Sequence, residues 1–495
     1  MSFYTAYNRF PQNYHPDEDR KIHQIKTGEY DFRHPALLLN ATRLIVFISG
    51  GAQSDIDYCI RGRWTSAIFA SLSAIVLMGA AHVLYGRYAA LAAGITVALC
   101  PMLLESAHYM KEDTALVFGI SCVILAIALL IKGFSLSKTI FLGIACALAA
   151  SGKYVGIFML IPALITILIP SNISKCGRLK RSVLFLLTFI ITAIIIDYEA
   201  IIFPFSFFEG LHFESEHIGT SHYGLIYRRF SGYYPKIIGD VTNDIVIGLY
   251  LVYTVYVLSN WRRKSGIEQL FILLPILYFI MISSSKVQSP RYVIPVVVLI
   301  HWLGGIGGGV IIKTTGRKKV IKYAIAGCIY GSLIAGLGLH SFDYLYQFKN
   351  DSRIALEKWV SENIKGDVRI LQDGYVSLPE KITFEKDGQK SVITTKTVWF
   401  AGYYRNLANV RRKGFSYIAV SENIYNRFFD RNIVPDKQYD AQSNYWKPRS
   451  FYIELFDNGR LLWESKQKRV MYGVTNPVIR FYDITENNES IISQR

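Results

Sequence analysis

The chain has 495 residues, 51% hydrophobic and 18% charged, and its mean hydropathy is +0.26. These values exclude a disordered chain, a collagen-like chain and an ordinary soluble enzyme. The net charge is +17, from 54 Lys and Arg against 37 Asp and Glu. On a soluble protein that would suggest nucleic acid; on so apolar a chain it points to short basic loops kept on the cytoplasmic side of a membrane.

Residues 1–63 are mostly polar, with one apolar stretch at 36–50. The first 35 residues lack the apolar core of a cleavable signal peptide. Ten apolar segments follow, at about 64–84, 88–104, 114–131, 138–150, 154–169, 182–203, 241–258, 267–285, 291–312 and 320–340. Most are as long as a bilayer about 30 Å thick demands of a spanning helix. The segments 138–150 and 154–169 are short, and they predict half-helices meeting inside the membrane around Ser151-Gly152-Lys153. Broken backbone at that depth survives only where protein buries it or where it lines a wet cavity. From 341 the composition changes. Amphipathic helix patterns at 351–364 and 450–459 alternate with strand-like runs at 368–371, 416–420 and 478–483. The expected fold is therefore mostly α. An external acidic segment with an interfacial helix (1–63) precedes a polytopic membrane helix bundle of about ten helices (64–340), and a soluble α/β domain (341–495) follows.

The Lys and Arg bias sets the orientation. The loops at 85–87, 132–138, 170–181, 259–266 and 313–319 are basic, and 170–181 alone carries Lys175, Arg178, Lys180 and Arg181. The alternate loops hold Glu105, Glu112, Asp113, Glu209, Glu214, Glu216 and Asp240. One parity satisfies the positive-inside rule at each turn. It puts 1–63, 105–113, 204–240, 286–290 and the tail outside the cytoplasm. The stretch 36–50, short and interrupted by Asn40, Thr42 and Arg43, then reads as an amphipathic helix in the outer interface.

Three groups could carry chemistry. His15-Pro16-Asp17-Glu18-Asp19 is either a solvated turn or a carboxylate pair at the membrane surface, one member of which acts as general base. His108 to Asp113 crowds acids and bases into a loop too short to splay them; the plainer reading is an interfacial anchor. The third group is cationic and external: His34, Arg61, Arg63, Lys111, Lys153, Lys286 and Arg291. Snorkelling explains any one of them, but together they suit an anion such as a lipid-linked phosphate, which an Arg fork binds bidentately. Asp197 and Glu199 close an apolar span, and acids there are functional hypotheses by default. His212, His217 and His222 recur every five residues, which fits no zinc spacing. The six cysteines have no metal-ligand spacing and imply no disulfide framework. Gly304 to Gly309 (GGIGGG) reads as close helix packing rather than a nucleotide loop.

These pieces, in this order, resemble the polyprenyl-phosphate-dependent glycosyltransferases of the GT-C type, above all the protein O-mannosyltransferase and lipid A aminoarabinose transferase branch. Asp17-Glu18 resembles the family's Asp-Glu in the first external loop. His34-Pro35-Ala36-Leu37 is similar to its turn into an interfacial helix, and Arg63 to the Arg that opens the next span. Ser106, Tyr109 and Asp113 are similar to its second external loop. Lys153-Tyr154 resembles the Lys-Tyr at a broken helix, Arg291-Tyr292-Val293-Ile294-Pro295 a late Arg-Tyr motif, and Trp359 to Ile364 a pattern of the tail. The family has a transmembrane helix ahead of the Asp-Glu loop; this sequence begins 16 residues before Asp17.

The resemblance implies a sugar carried on undecaprenyl or dolichyl phosphate, transferred with inversion. Asp17 would take the acceptor's proton, with Glu18 and Asp113 positioning acceptor and sugar. Arg63, with His34, Lys153 and Arg291, would hold the leaving phosphate. No metal and no cofactor beyond the lipid-linked substrate is expected. The expected partners are that donor, a protein, lipid or glycan acceptor, and membrane lipids, without nucleic acid, in a bacterial or archaeal cell membrane. A lipid or glycan flippase and a membrane-anchored binding protein are the other classes open to this sequence. The orientation is testable: cysteines at 215 and 400 should be labelled by an impermeant reagent from outside, and cysteines at 178 and 263 should not. Labelling of 400 only after permeabilisation would invert the topology.

Overall fold

The computed structural model describes residues 2–7, 15–169, 173–219, 224–262, 266–315, 319–386, 389–436, 440–466 and 473–485. The chain divides into two compact units. One spans Met1–Pro11, Asp17–Glu216 and Gly232–Tyr344; the other spans Gln12–Pro16, His217–Ser231 and Leu345–Arg495.

The first unit is helical. In chain order it contains α1 (Asp17–Thr27), α2 (Leu37–Ile48), α3 (Asp55–Tyr85), α4 (Arg87–Ala98), α5 (Pro101–Ala107), α6 (Asp113–Ile131), α7 (Leu136–Gly152), a 3-10 segment (Tyr154–Met159) running into α8 (Leu160–Leu168), and α9 (Lys175–Ile196). There follow α10 (Glu199–Ile202), α11 (Pro204–Gly219), α12 (Tyr233–Val241), α13 (Asp244–Ser259), α14 (Gly266–Ser283), α15 (Ile294–Thr315) and α16 (Lys319–Lys349), whose end enters the second unit. All ten apolar segments are helical. Among the described residues, five helices can cross a membrane by length and composition. Two more spans arise if the bent pairs α4–α5 (55°) and α12–α13 (106°) each count once, and α7, Tyr154–Leu168 and Glu268–Ser283 are shorter apolar helices.

Two boundaries differ from expectation for visible reasons. α3 starts at Asp55 rather than near 64 because Ser54 and Asp57 form a capping box, each side chain accepting the other's backbone N–H. The acidic segment is not all loop: α1 begins at Asp17. Its three first-turn acids complement the helix dipole, and Glu18, Lys21, Ile22 and Ile25 make one buried face at helical spacing. The GGIGGG run packs helices as expected. A Cβ on Gly305 or Gly309 would lie 2.3 Å from the backbone of Ala93 or Ala89 of α4. The same contact is latched where the Thr96 hydroxyl donates to the His301 carbonyl at 2.7 Å.

The second unit is built on a six-stranded mixed sheet. With β1 (Leu225–Tyr227), β2 (Val368–Asp373), β3 (Lys381–Lys386), β4 (Gln389–Val398), β5 (Tyr417–Ser421), β6 (Ile433–Pro435), β7 (Arg460–Glu464) and β8 (Ile479–Asp483), its order is β3-β4-β2-β5-β8-β7. β2 runs parallel to β4 and β5, with Ile370 opposite Thr395 and Tyr417; β1 and β6 pair separately. Strand alternation feeds two cores. Leu371, Ile418, Val420 and Tyr482 pack with Phe451, Tyr452 and Leu455 of α20 (Lys447–Asn458). Ile370, Ala419 and Phe481 pack with Leu356 and Val360 of α17 (Ser352–Asn363). The short helices α18 (Leu407–Arg412) and α19 (Glu422–Tyr425) lie between these elements in sequence. Asp373 ends β2 fully buried. It accepts the Ala401 N–H at 2.6 Å and the Tyr452 hydroxyl at 3.0 Å, and burial pushes its carboxyl up to about 8.

Candidate active site

The site grows from the buried face of α1. Two of its five buried residues, Glu18 and Lys21, are charged, so docking α1 demands partners. Glu18 finds Arg63 on α3. The Arg63 Nε donates to Oε1 at 3.1 Å and Nη2 to Oε2 at 2.8 Å, both side chains being 0% exposed. The Met110 N–H adds a third bond to Glu18 at 3.0 Å. Lys21, one turn along α1, pairs with Glu112, also buried. Ile22 and Ile25 fill the space between, against Tyr30, Phe32, Cys59 and Met110.

The loop 108–112 brings its own charges to the same place. Lys111 pairs with Asp17 and lies 3.5 Å from Glu112 and 3.5 Å from the His34 Nε2. Burial pushes the Lys111 ammonium down, to about 8, against the upward pull of Asp17. Burial also drives His34 well below its usual range, and Lys111, Lys21 and Lys153 push the same way. His34 is thus a neutral imidazole, able to donate one hydrogen bond but not a charge. His108, likewise buried, is pushed down to about 4.

Close helix approach delivers the last pair. A Cβ on Gly119 of α6 would meet the Ala149 backbone at 2.3 Å, and one on Gly152 would meet the Leu116 backbone at 2.7 Å. With these two glycines α6 and α7 run nearly in backbone contact. α7 ends at Gly152, Lys153 turns extended (φ −162°, ψ 141°), and its ammonium donates to Asp113 at 2.7 Å. The expected helix break is present, as a 3-10 turn rather than a gap between two α-helices. Lys153 also sits 4.8 Å from the Tyr292 ring centroid, with the Arg291 guanidinium 5.8 Å from the same ring.

Every residue expected in the site is drawn into this region: Asp17, Glu18, Asp113, His34, Arg63, Lys153 and Arg291. Their exposure differs sharply. The side chain of Asp17 is 30% exposed, whereas Glu18, Glu112 and Asp113 are 0%, 1% and 5%. Arg63 is saturated by Glu18 and turned away from solvent, which does not suit the phosphate role expected of it. Arg61 lies outside the cluster, donating to Ser49 and Asp57. Sequence reasoning missed Lys21, although it is four residues after Asp17 and so shares its helix face. It also missed Glu214 on α11, whose half-buried carboxyl is raised by burial and feels Lys153, Lys111, Arg20 and Arg291; nothing local in the sequence marks it. The histidine series His212, His217 and His222 lies partly outside the described residues. Among the described residues there is no group of three potential metal ligands.

The buried pair makes a strong stability statement. Glu18→Gln or Arg63→Met should each cost about 3–5 kcal/mol by stranding a charge in the interior. The double substitution should recover much of that loss. Thermal unfolding of the purified protein in detergent checks this; single variants that melt with the wild type would show that the pair does not hold α1 in place.

Comparison with known proteins bears on the fold. Residues 58–198 match the model of the dolichyl-phosphate-mannose-protein mannosyltransferase family. No curated protein gives a significant match. Among solved structures the chain is similar to ArnT from Cupriavidus metallidurans bound to undecaprenyl phosphate, at 14% identity and a TM-score of 0.50, covering 97% of this chain and 95% of that one. It is also similar to the archaeal oligosaccharyltransferase AglB from Archaeoglobus fulgidus, at 10% identity and a TM-score of 0.45, covering 94% and 75%. The family model thus matches one part of the chain, and the likeness to ArnT shows a fold shared along almost its whole length.

Proposed function

We propose that this protein is an integral membrane glycosyltransferase that moves a sugar from a polyprenyl-phosphate donor to an acceptor on the extracytoplasmic side, with inversion. One observation carries the reading. Of four clustered carboxylates only Asp17 is substantially solvent-exposed, and it is held by a lysine, while two further cations, Lys153 and Arg291, approach the Tyr292 ring. The similar ArnT structure holds undecaprenyl phosphate, which supports a lipid phosphate as the anion.

The chemistry follows from these positions. The acceptor's oxygen or nitrogen attacks the anomeric carbon from the face opposite the phosphate. The new glycosidic bond forms as the bond from that carbon to the phosphate oxygen breaks, and the electron pair leaves on the phosphate. Asp17 takes the proton of the nucleophile. Lys111 orients Asp17 through their ion pair. Lys153 and Arg291 stabilise the charge that grows on the leaving phosphate, where pre-placed cations act most strongly. Asp113 fixes Lys153, and neutral His34 adds a hydrogen-bond donor. Glu18 and Arg63 set the frame from beneath rather than touching substrate. In this reading no metal or other cofactor takes part.

Asp17→Asn is the decisive variant. Removing a positioned base typically lowers rate about 10²–10⁴-fold. Transfer from a synthetic polyprenyl-phosphate sugar in liposomes should fall by that order, while donor binding persists. Near-normal transfer by Asp17→Asn would remove Asp17 from the role and leave the mechanism without its base.

A further inference from the structure

One acid in this region has no task in the reaction above. Asp197 follows the last residue of α9, and its two oxygens serve two different segments. Oδ1 accepts the Ala36 N–H at 2.7 Å, and Oδ2 accepts the Ser151 hydroxyl. Ala36 lies two residues after His34, on the turn that opens α2. Ser151 lies two residues before Lys153, in the last turn of α7. A single carboxylate therefore ties the turn that carries His34 to the helix end that carries Lys153.

The surroundings repeat the pattern. The Asn40 amide donates to the Ile196 carbonyl at 2.9 Å and to Glu199 at 3.0 Å. The Tyr154 hydroxyl donates to the Phe32 carbonyl at 2.7 Å. Each bond crosses between the 30–40 segment and the end of α7 or α9. The Ala36 N–H stands at a helix start, where no intrahelical acceptor exists; without Asp197 it would lose this partner. The anchor is thus not decorative: it satisfies a backbone donor and aligns two arms of the site at once.

The geometry points to Asp197 as a positioning residue for the proposed transfer. By bridging Ala36 and Ser151 it holds His34 and Lys153 at a fixed separation around the leaving phosphate. The role is one of geometry rather than charge, so the amide isostere should preserve it. In Asp197→Asn the amide oxygen can still accept from Ala36, and the amide NH₂ can donate to the Ser151 oxygen. Asp197→Ala keeps neither bond. This inference rests on the functional reading above, and its test separates the two.

Two measurements on the full-length protein in nanodiscs decide it. Hydrogen exchange of the segment 36–40, read by mass spectrometry, should be about 5–30-fold faster in Asp197→Ala than in the wild type. Asp197→Asn should stay close to the wild type. Transfer from a polyprenyl-phosphate sugar should lose about 10²-fold in kcat in Asp197→Ala, the scale of a misplacement near 1 Å, with KM changed by no more than about threefold. Asp197→Asn should restore kcat. Unchanged exchange in Asp197→Ala overturns the clamp. Faster exchange with full activity overturns its role in positioning. An Asp197→Asn variant as slow as Asp197→Ala overturns the geometric account in favour of a charge. If the wild type itself transfers no sugar from such a donor, the functional reading fails, and the clamp stands or falls by exchange alone.

Discussion

Taking an ion out of water costs several kcal/mol unless a partner meets it with good geometry, and this constraint organises the first unit. α1 buries two charges on a face that otherwise holds isoleucines. It can do so only where Arg63 and Glu112 wait for Glu18 and Lys21. The pairs therefore fix where α1 docks, and α1 in turn fixes where Asp17 lies. The same rule operates at Lys153, whose burial at a broken helix is matched by Asp113. With the Lys111–Asp17 pair these make four, and they put the acids into two classes. Three are sealed within the structure and one is exposed to solvent, and this contrast is what supports Asp17 as the proposed base.

Packing supplies the rest of the frame. Lys153 and Asp113 meet only because Gly119 and Gly152 let α6 and α7 approach to backbone contact. A methyl group at either glycine would push α7 outward and draw Lys153 away from Tyr292. The catalytic geometry thus depends on residues with no side chain at all. At the same end of α7, Asp197 works as a tie, linking the His34 turn to the helix.

Much of this architecture was legible in the sequence because bilayers impose long apolar runs. All ten apolar segments proved helical, and the tail's strands at 368–371, 416–420 and 478–483 overlap β2, β5 and β8. The hairpin β3–β4 was missed although Lys381 to Lys386 alternates and Asp387-Gly388 invites a turn. α1 was missed because its apolar content is too low to announce a helix; its stability comes from ion pairs formed far away in sequence. The candidate site residues were proposed from order and type, without their partners. Nothing local shows that Arg63 pairs with Glu18, since the two are 45 residues apart. For the same reason Glu214 carried no signal, and Asp197 could be flagged as a costly acid without its two partners being named.

The central claim is that Lys153 and Arg291, both close to the Tyr292 ring, receive a lipid-linked phosphate. Native mass spectrometry of the purified protein, offered undecaprenyl phosphate or the uncharged alcohol undecaprenol, tests it directly. The account predicts that the wild type retains the phosphate and not the alcohol. It also predicts that the combined substitution Lys153→Ala and Arg291→Ala loses retention at least about tenfold, a charge-assisted pair of contacts being worth more than a neutral one. Equal retention of phosphate and alcohol, or full retention by the double variant, would contradict it.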